Sequence, residues 1–139
     1  MLRSGKGQTM KVTIEGEPKG KGRPRFYNGH AVTPQTTRDY EEEAALVYRA
    51  KVKKTYHGAV GVRIRAYFKI PKGVSKAVRQ MMEDGVRRPT KKPDIDNIDK
   101  IILDALNGIA FDDDKQVVEE TLSKFYSVHP RVEVEVYEI

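Results

Sequence analysis

Cysteine is absent from the 139 residues, and the three histidines, His30, His57 and His129, are scattered. A disulfide scaffold is thereby excluded, and so is a zinc site, which needs Cys or His at short, defined spacing. No apolar run approaches the roughly 20 residues of a membrane span, and no signal peptide is visible. Internal repeats and low-complexity linkers are missing too. The expectation is one compact, soluble, cytoplasmic domain over residues 11–139. Residues 1–10 lack any pattern and read as a leader that takes no part in the fold.

Charge is what the chain has in quantity, and it is unevenly placed. Residues 1–92 hold 22 Lys+Arg against 8 Asp+Glu, whereas residues 93–139 hold 4 against 12, so the two parts carry +14 and −8. A basic surface is what a polyanion-binding protein presents. An acidic cluster beside it would repel phosphate unless a cation stood between them. The pairing points to metal-dependent phosphate chemistry.

The acidic part begins Lys91-Lys92-Pro93-Asp94-Ile95-Asp96 and runs through Lys100 and Asp104 to Gly108. Ile95, Ile98, Ile102 and Leu106 recur at three- and four-residue steps, which predicts a helix over Asp94–Asn107 with those residues in the core. Asp94 stands at the N-cap position and Gly108 at the C-terminal stop. Asp112-Asp113-Asp114 follows after a short connection and leads into a strand-like run from Gln116. Carboxylates brought together from the two clusters repel one another unless they share a hard divalent cation with oxygen ligands, Mg²⁺ or Mn²⁺. Each cluster alone has a plainer reading: Asp96, Lys100 and Asp104 as i,i+4 pairs on a solvated helix face, Asp112–Asp114 as an Asx-type turn.

Upstream, Lys11–Gly16 alternates as a half-buried strand does. Lys19-Gly20-Lys21-Gly22-Arg23-Pro24-Arg25-Phe26-Tyr27 then reads as a basic loop. Its glycines allow close backbone approach to phosphate, and Phe26 or Tyr27 is placed to stack on a base. It lacks the Gly-Lys-Ser/Thr ending of a nucleotide P-loop. A helix is expected over Arg38–Lys54 with Tyr40, Ala44, Val47 and Tyr48 inward. Ala59–Ile70 alternates most strongly of all, with Arg63, Arg65 and Lys69 opposite the apolar positions. Ser75–Glu83 reads as a short helix and Gly85–Thr90 as a loop. Gln116–Ser127 and Val132–Ile139 read as the last two strands.

Lys92-Pro93-Asp94-Ile95-Asp96-Asn97 with Lys100, then Asp104-Ala105-Leu106 and Asp113-Asp114-Lys115-Gln116-Val117, resembles the signature of RusA-type Holliday junction resolvases. Gly20-Lys21-Gly22-Arg23-Pro24-Arg25-Phe26 and Thr33-Pro34 resemble a branch of that family found in prophages. The resemblance implies an α+β domain with a small mixed or antiparallel sheet packed on two main helices. It implies a homodimeric, Mg²⁺-dependent endodeoxyribonuclease, bacterial or phage-encoded, that nicks four-way DNA junctions. Carried across, catalytic and metal-ligating roles fall on Asp94, Asp96 and Asp114, with Lys100 as the catalytic lysine and Asp113 beside the metal. Lys19, Lys21, Arg23, Arg25, Lys91 and Lys92 would bind DNA. Two other readings stay open: an Mg²⁺-dependent nuclease for other structures, and a non-catalytic nucleic-acid-binding module.

Overall fold

Strand β4 (Val60–Lys69) is central because its alternation lets it bury one whole face. Val60, Val62, Ile64, Ala66 and Phe68 are each at most 1% exposed. The computed structural model describes residues 9–139. Around β4 a four-stranded sheet is ordered β1 (Val12–Glu15), β6 (Arg131–Glu138), β4, β5 (Val117–Ser127). Strand β6 is antiparallel to both β1 and β4, while β5 runs parallel to β4 and forms the edge. A parallel neighbour needs a crossover, and the connection from Lys69 to Val117 holds two helices, α2 (Lys76–Glu83) and α3 (Ile95–Leu106).

Helix α1 (Gln35–Lys51) and α3 cover the apolar face of the sheet. Tyr40, Ala44 and Tyr48 come from α1, and Ile98, Ile101, Ile102, Ala105 and Leu106 from α3; all join one core with Ile14, Val132 and Val134. Each fully buried aliphatic contributes about 1.5–3 kcal/mol of transfer free energy. The chain is thus an α+β domain with a mixed sheet on two main helices, as expected. Among the described residues, no helix is long and apolar enough to cross a membrane.

Several details differ from expectation. Ile95 is 49% exposed, because it opens the helix one turn before Ile98, where the core contact begins. The basic loop is not all loop: Arg25–Tyr27 and His30–Val32 form a two-stranded hairpin, β2 and β3, turned by Asn28 and Gly29 at φ 51° and 80°. Of the leader expected at 1–10, residues 1–8 lie outside the described residues. Thr9 is described, and its Oγ1 donates to Glu135 Oε2 at 3.1 Å.

The outer face of the sheet is internally paired. Arg63 lies 3.6 Å from Glu135 Oε1 and over the Tyr137 ring, and Arg131 stacks on Tyr67 while its Nε donates to Glu133 Oε2 at 2.9 Å. Tyr67 in turn stacks on Phe125, which is covered by Arg88. These cations have partners on the sheet itself.

Candidate active site

Asp94 precedes the first turn of α3 in extended conformation, φ −72° and ψ 160°, and Asp96 lies within that turn. Negative side chains here sit at the positive end of the helix dipole, a favourable charge–dipole arrangement. The Asp94 carboxylate makes no capping hydrogen bond. Neither it nor Asp96 has a side-chain hydrogen bond or ion pair among the described residues, and both are exposed. The Lys92–Pro93 peptide just before them is cis.

Beside Asp94 opens a cleft of about 500 Å³. Lys19, Lys21, Arg23 and Lys92 line it with Asp94 and Asn97. The loop that builds its far wall is held tightly against α3. A side chain at Gly20 would stand 2.9 Å from Pro93 Cβ and 3.0 Å from Asn97 Cβ, so only glycine packs there. Next to it, Lys21 N donates to Asn97 O at 3.0 Å, and Gly22 N donates to Thr37 Oγ1 at 3.1 Å.

Lys21 has a further role at this junction. Its ammonium lies 2.6 Å from Glu41 Oε2 on α1 and 3.0 Å from Asp104 Oδ2 on α3, with all three side chains largely buried. Burial works to lower the lysine's pKa, but the hydrogen bonds and charges of Glu41 and Asp104 outweigh it and hold the group above its ordinary value. Lys21 therefore ties the loop to both helices. Lys19, Arg23 and Arg25 remain exposed and, among the described residues, without a carboxylate partner. Lys100 is 62% exposed and 4.0 Å from Asp104.

Two residues of this region escape sequence reasoning. Glu120 and Lys124, on the α3 side of β5, face Asp99 and Asp94. Since 99 meets 120 and 94 meets 124, β5 runs back along α3. The Glu120 carboxyl is pushed up to about 8, first by desolvation and then by the neighbouring Asp99 carboxyl. Asp99 Oδ1 is itself buried with no donor in reach. Burial lowers the Lys124 ammonium, Asp94's charge opposes that, and Lys91's adds to it; Lys124 Nζ donates to Lys91 O at 2.6 Å.

The Asp112–Asp114 cluster has divided roles. Asp113 Oδ1 accepts from Asp114 N at 3.0 Å and Gln116 Oε1 accepts from Asp113 N at 2.9 Å, a capping box on the 3₁₀ turn Asp114–Gln116. Gln116 Nε2 also donates to the carbonyls of Tyr56 and Gly58. Asp112 pairs with His57. Of the three, only Asp114's carboxylate makes no hydrogen bond or ion pair among the described residues. Because β5 runs back along α3, Asp114 lies toward the C-terminal end of that helix, away from Asp94 and Asp96. Among the described residues, no group of three or more His, Cys, Asp or Glu is placed within the chain to hold a metal ion.

The donor chemistry nonetheless suits a hard cation. Asp94 and Asp96 present exposed, unpaired carboxylates, and Asp99, one turn from Asp96, adds a buried oxygen without a donor.

The profile of the family Endodeoxyribonuclease RusA matches residues 15–137. A Bacillus subtilis (strain 168) protein, described as "Uncharacterized protein YqaN", is 41% identical over 137 residues, which cover 94% of this chain and 96% of that protein.

Proposed function

The chain belongs to the endodeoxyribonuclease RusA family, and from that premise we propose that it resolves four-way DNA junctions by paired, symmetric, Mg²⁺-dependent nicks. The observation that carries this reading is the placement of Asp94, unpaired at the start of α3 with Asp96 in the turn that follows, in a cleft lined by Lys19, Arg23 and Lys92. The basic wall receives the DNA backbone and the carboxylates hold the cation that lets phosphate approach them. Arg25 and Lys91 extend the basic surface on either side. Lys21, fixed between Glu41 and Asp104, keeps the loop in place.

Asp94 and Asp96 would hold Mg²⁺ or Mn²⁺, with Asp114 and the neighbouring Asp113 as the further members that the family resemblance implies. Asp114 comes to the pair from a second chain or by a shift of its turn. A bound Mg²⁺ supplies polarisation of the scissile phosphate and a water of lowered pKa. Lys100, one turn beyond Asp96 and largely exposed, is free to meet the charge that develops on the phosphate. A homodimer suits the symmetry of a four-way junction, which needs two cuts related by a twofold axis.

Cleavage of an end-labelled synthetic four-way junction, set against a linear duplex of the same sequence with Mg²⁺ or with EDTA, tests the reading. Symmetric nicks in the junction alone, dependent on Mg²⁺, are expected. Equal cutting of the duplex, or junction cutting in EDTA, would overturn it.

A further inference from the structure

Phe26 is the most exposed large apolar residue of the described chain, at 78%. It sits on the β2–β3 hairpin, which forms a sheet of its own with all six strand residues exposed. Strand alternation sorts the side chains. Arg25, Tyr27, His30 and Val32 share one face, and three of them line a groove of about 340 Å³ against the start of α1. Phe26 points the other way, paired across the hairpin only with Ala31. No aromatic or cationic side chain among the described residues covers the ring.

With Tyr27 beside it 72% exposed, two solvent-exposed rings adjoin the basic loop, and such rings are suited to being covered by a flat ligand. Charge identifies the class of that ligand. The hairpin leads straight out of the loop that lines the Asp94 cleft, and Arg23 and Arg25 flank its entry without a carboxylate partner. Those cations select a polyanion, and the polyanion with flat apolar faces is nucleic acid.

We infer that Phe26 stacks on a base at the branch point, so that the hairpin senses interrupted base stacking while the cleft holds the backbone. The inference rests on the nuclease reading above and deepens it. Intact duplex must be unstacked before an apolar side chain enters, whereas a branch point offers steps whose stacking is already broken. Phe26 is then a specificity-determining residue: it favours branched over linear DNA without reading sequence. The tight Asn28-Gly29 turn holds the strand geometry that presents the ring.

The chain has no tryptophan, so Phe26→Trp carries a single tryptophan, excited selectively over the seven tyrosines, at the hairpin. Its emission is followed in EDTA as a four-way junction or a linear duplex is added. Quenching by the junction, and little by duplex at equal phosphate, is expected. Phe26→Ala is expected to bind the junction about 5- to 100-fold more weakly, the range of a lost base–aromatic stack, with its sedimentation unchanged. Constant emission on a bound junction, equal quenching by duplex, or a change of oligomeric state in Phe26→Ala would each overturn the inference; the last would mean that a second copy of the chain covers the ring. Cleavage by the unsubstituted protein is scored on the same junction. If it cuts while the Phe26→Trp emission stays constant, the stacking inference falls and the nuclease reading stands. If it neither binds nor cuts branched DNA, the nuclease reading falls and the inference with it.

Discussion

Glu120 and Asp99 face each other, carboxyl to carboxyl, where strand β5 returns along helix α3. Two acceptors can bond only through a proton, and burial with this contact pushes the Glu120 carboxyl up to about 8. A carboxyl with a raised folded-state pKa binds its proton more tightly folded than unfolded. Its contribution to stability is complete below its unfolded pKa near 4.5 and is lost as pH rises through about 8.

Glu120→Gln replaces that acid with a permanently neutral group. Thermal unfolding followed against pH should give curves for parent and variant that meet near pH 5. They should separate by pH 9 with the variant melting a few °C higher, since Glu120 is partly solvated. Parallel curves would show that the pair does not hold a proton.

Lys21 links three segments, so its removal leaves two carboxylates facing each other. Lys21→Met is expected to cost about 1–3 kcal/mol, less than a fully buried pair because water reaches part of the cluster. Denaturant unfolding measures this. The same variant should expose the loop at residues 19–25 to amide exchange; unchanged protection would refute the tethering role.

Tyr40 is buried on α1 with its hydroxyl unbonded. A buried donor without a partner costs about 1–3 kcal/mol, so Tyr40→Phe should be neutral or stabilising by about 1 kcal/mol in denaturant unfolding. A loss above 1 kcal/mol would mean that the hydroxyl has a partner in solution.

Asp113 and Asp114 are separable by experiment. Asp113→Ala removes the capping box and should lower stability by about 1 kcal/mol. Asp114→Asn should leave the melting temperature nearly unchanged and remove DNA cleavage. The reverse pattern would exchange their roles.

Local patterns were readable where one element decided them. The three- and four-residue spacing of Ile98, Ile102 and Leu106 announced α3, and the alternation from Val60 to Phe68 announced β4. Tyr40, Ala44 and Tyr48 likewise marked the inner face of α1. The β2–β3 hairpin was not legible, because its three-residue strands bury nothing and so leave no alternation of apolar and polar positions. Lys21 read as one more cation of a basic loop, since Glu41 and Asp104 reach it only after both helices pack. Glu120 and Lys124 gain their meaning from the register of β5 against α3, which no local pattern encodes. The motif around Asp94 and Asp96 was legible as a family signature. Its separation from Asp114 within the chain was not, because that depends on the direction in which β5 returns.

The central claim is that Asp96 acts in phosphodiester cleavage and is not needed to recognise DNA. The most direct measurement compares the parent with Asp96→Asn on one labelled four-way junction, scoring cleavage in Mg²⁺ and binding by gel shift. The account predicts symmetric nicks by the parent, none by the variant, and junction binding kept within a few-fold, since Asp96 is exposed and pairs with no other side chain. Undiminished cleavage by the variant, or a parent that binds the junction tightly and never cuts it, would contradict the account.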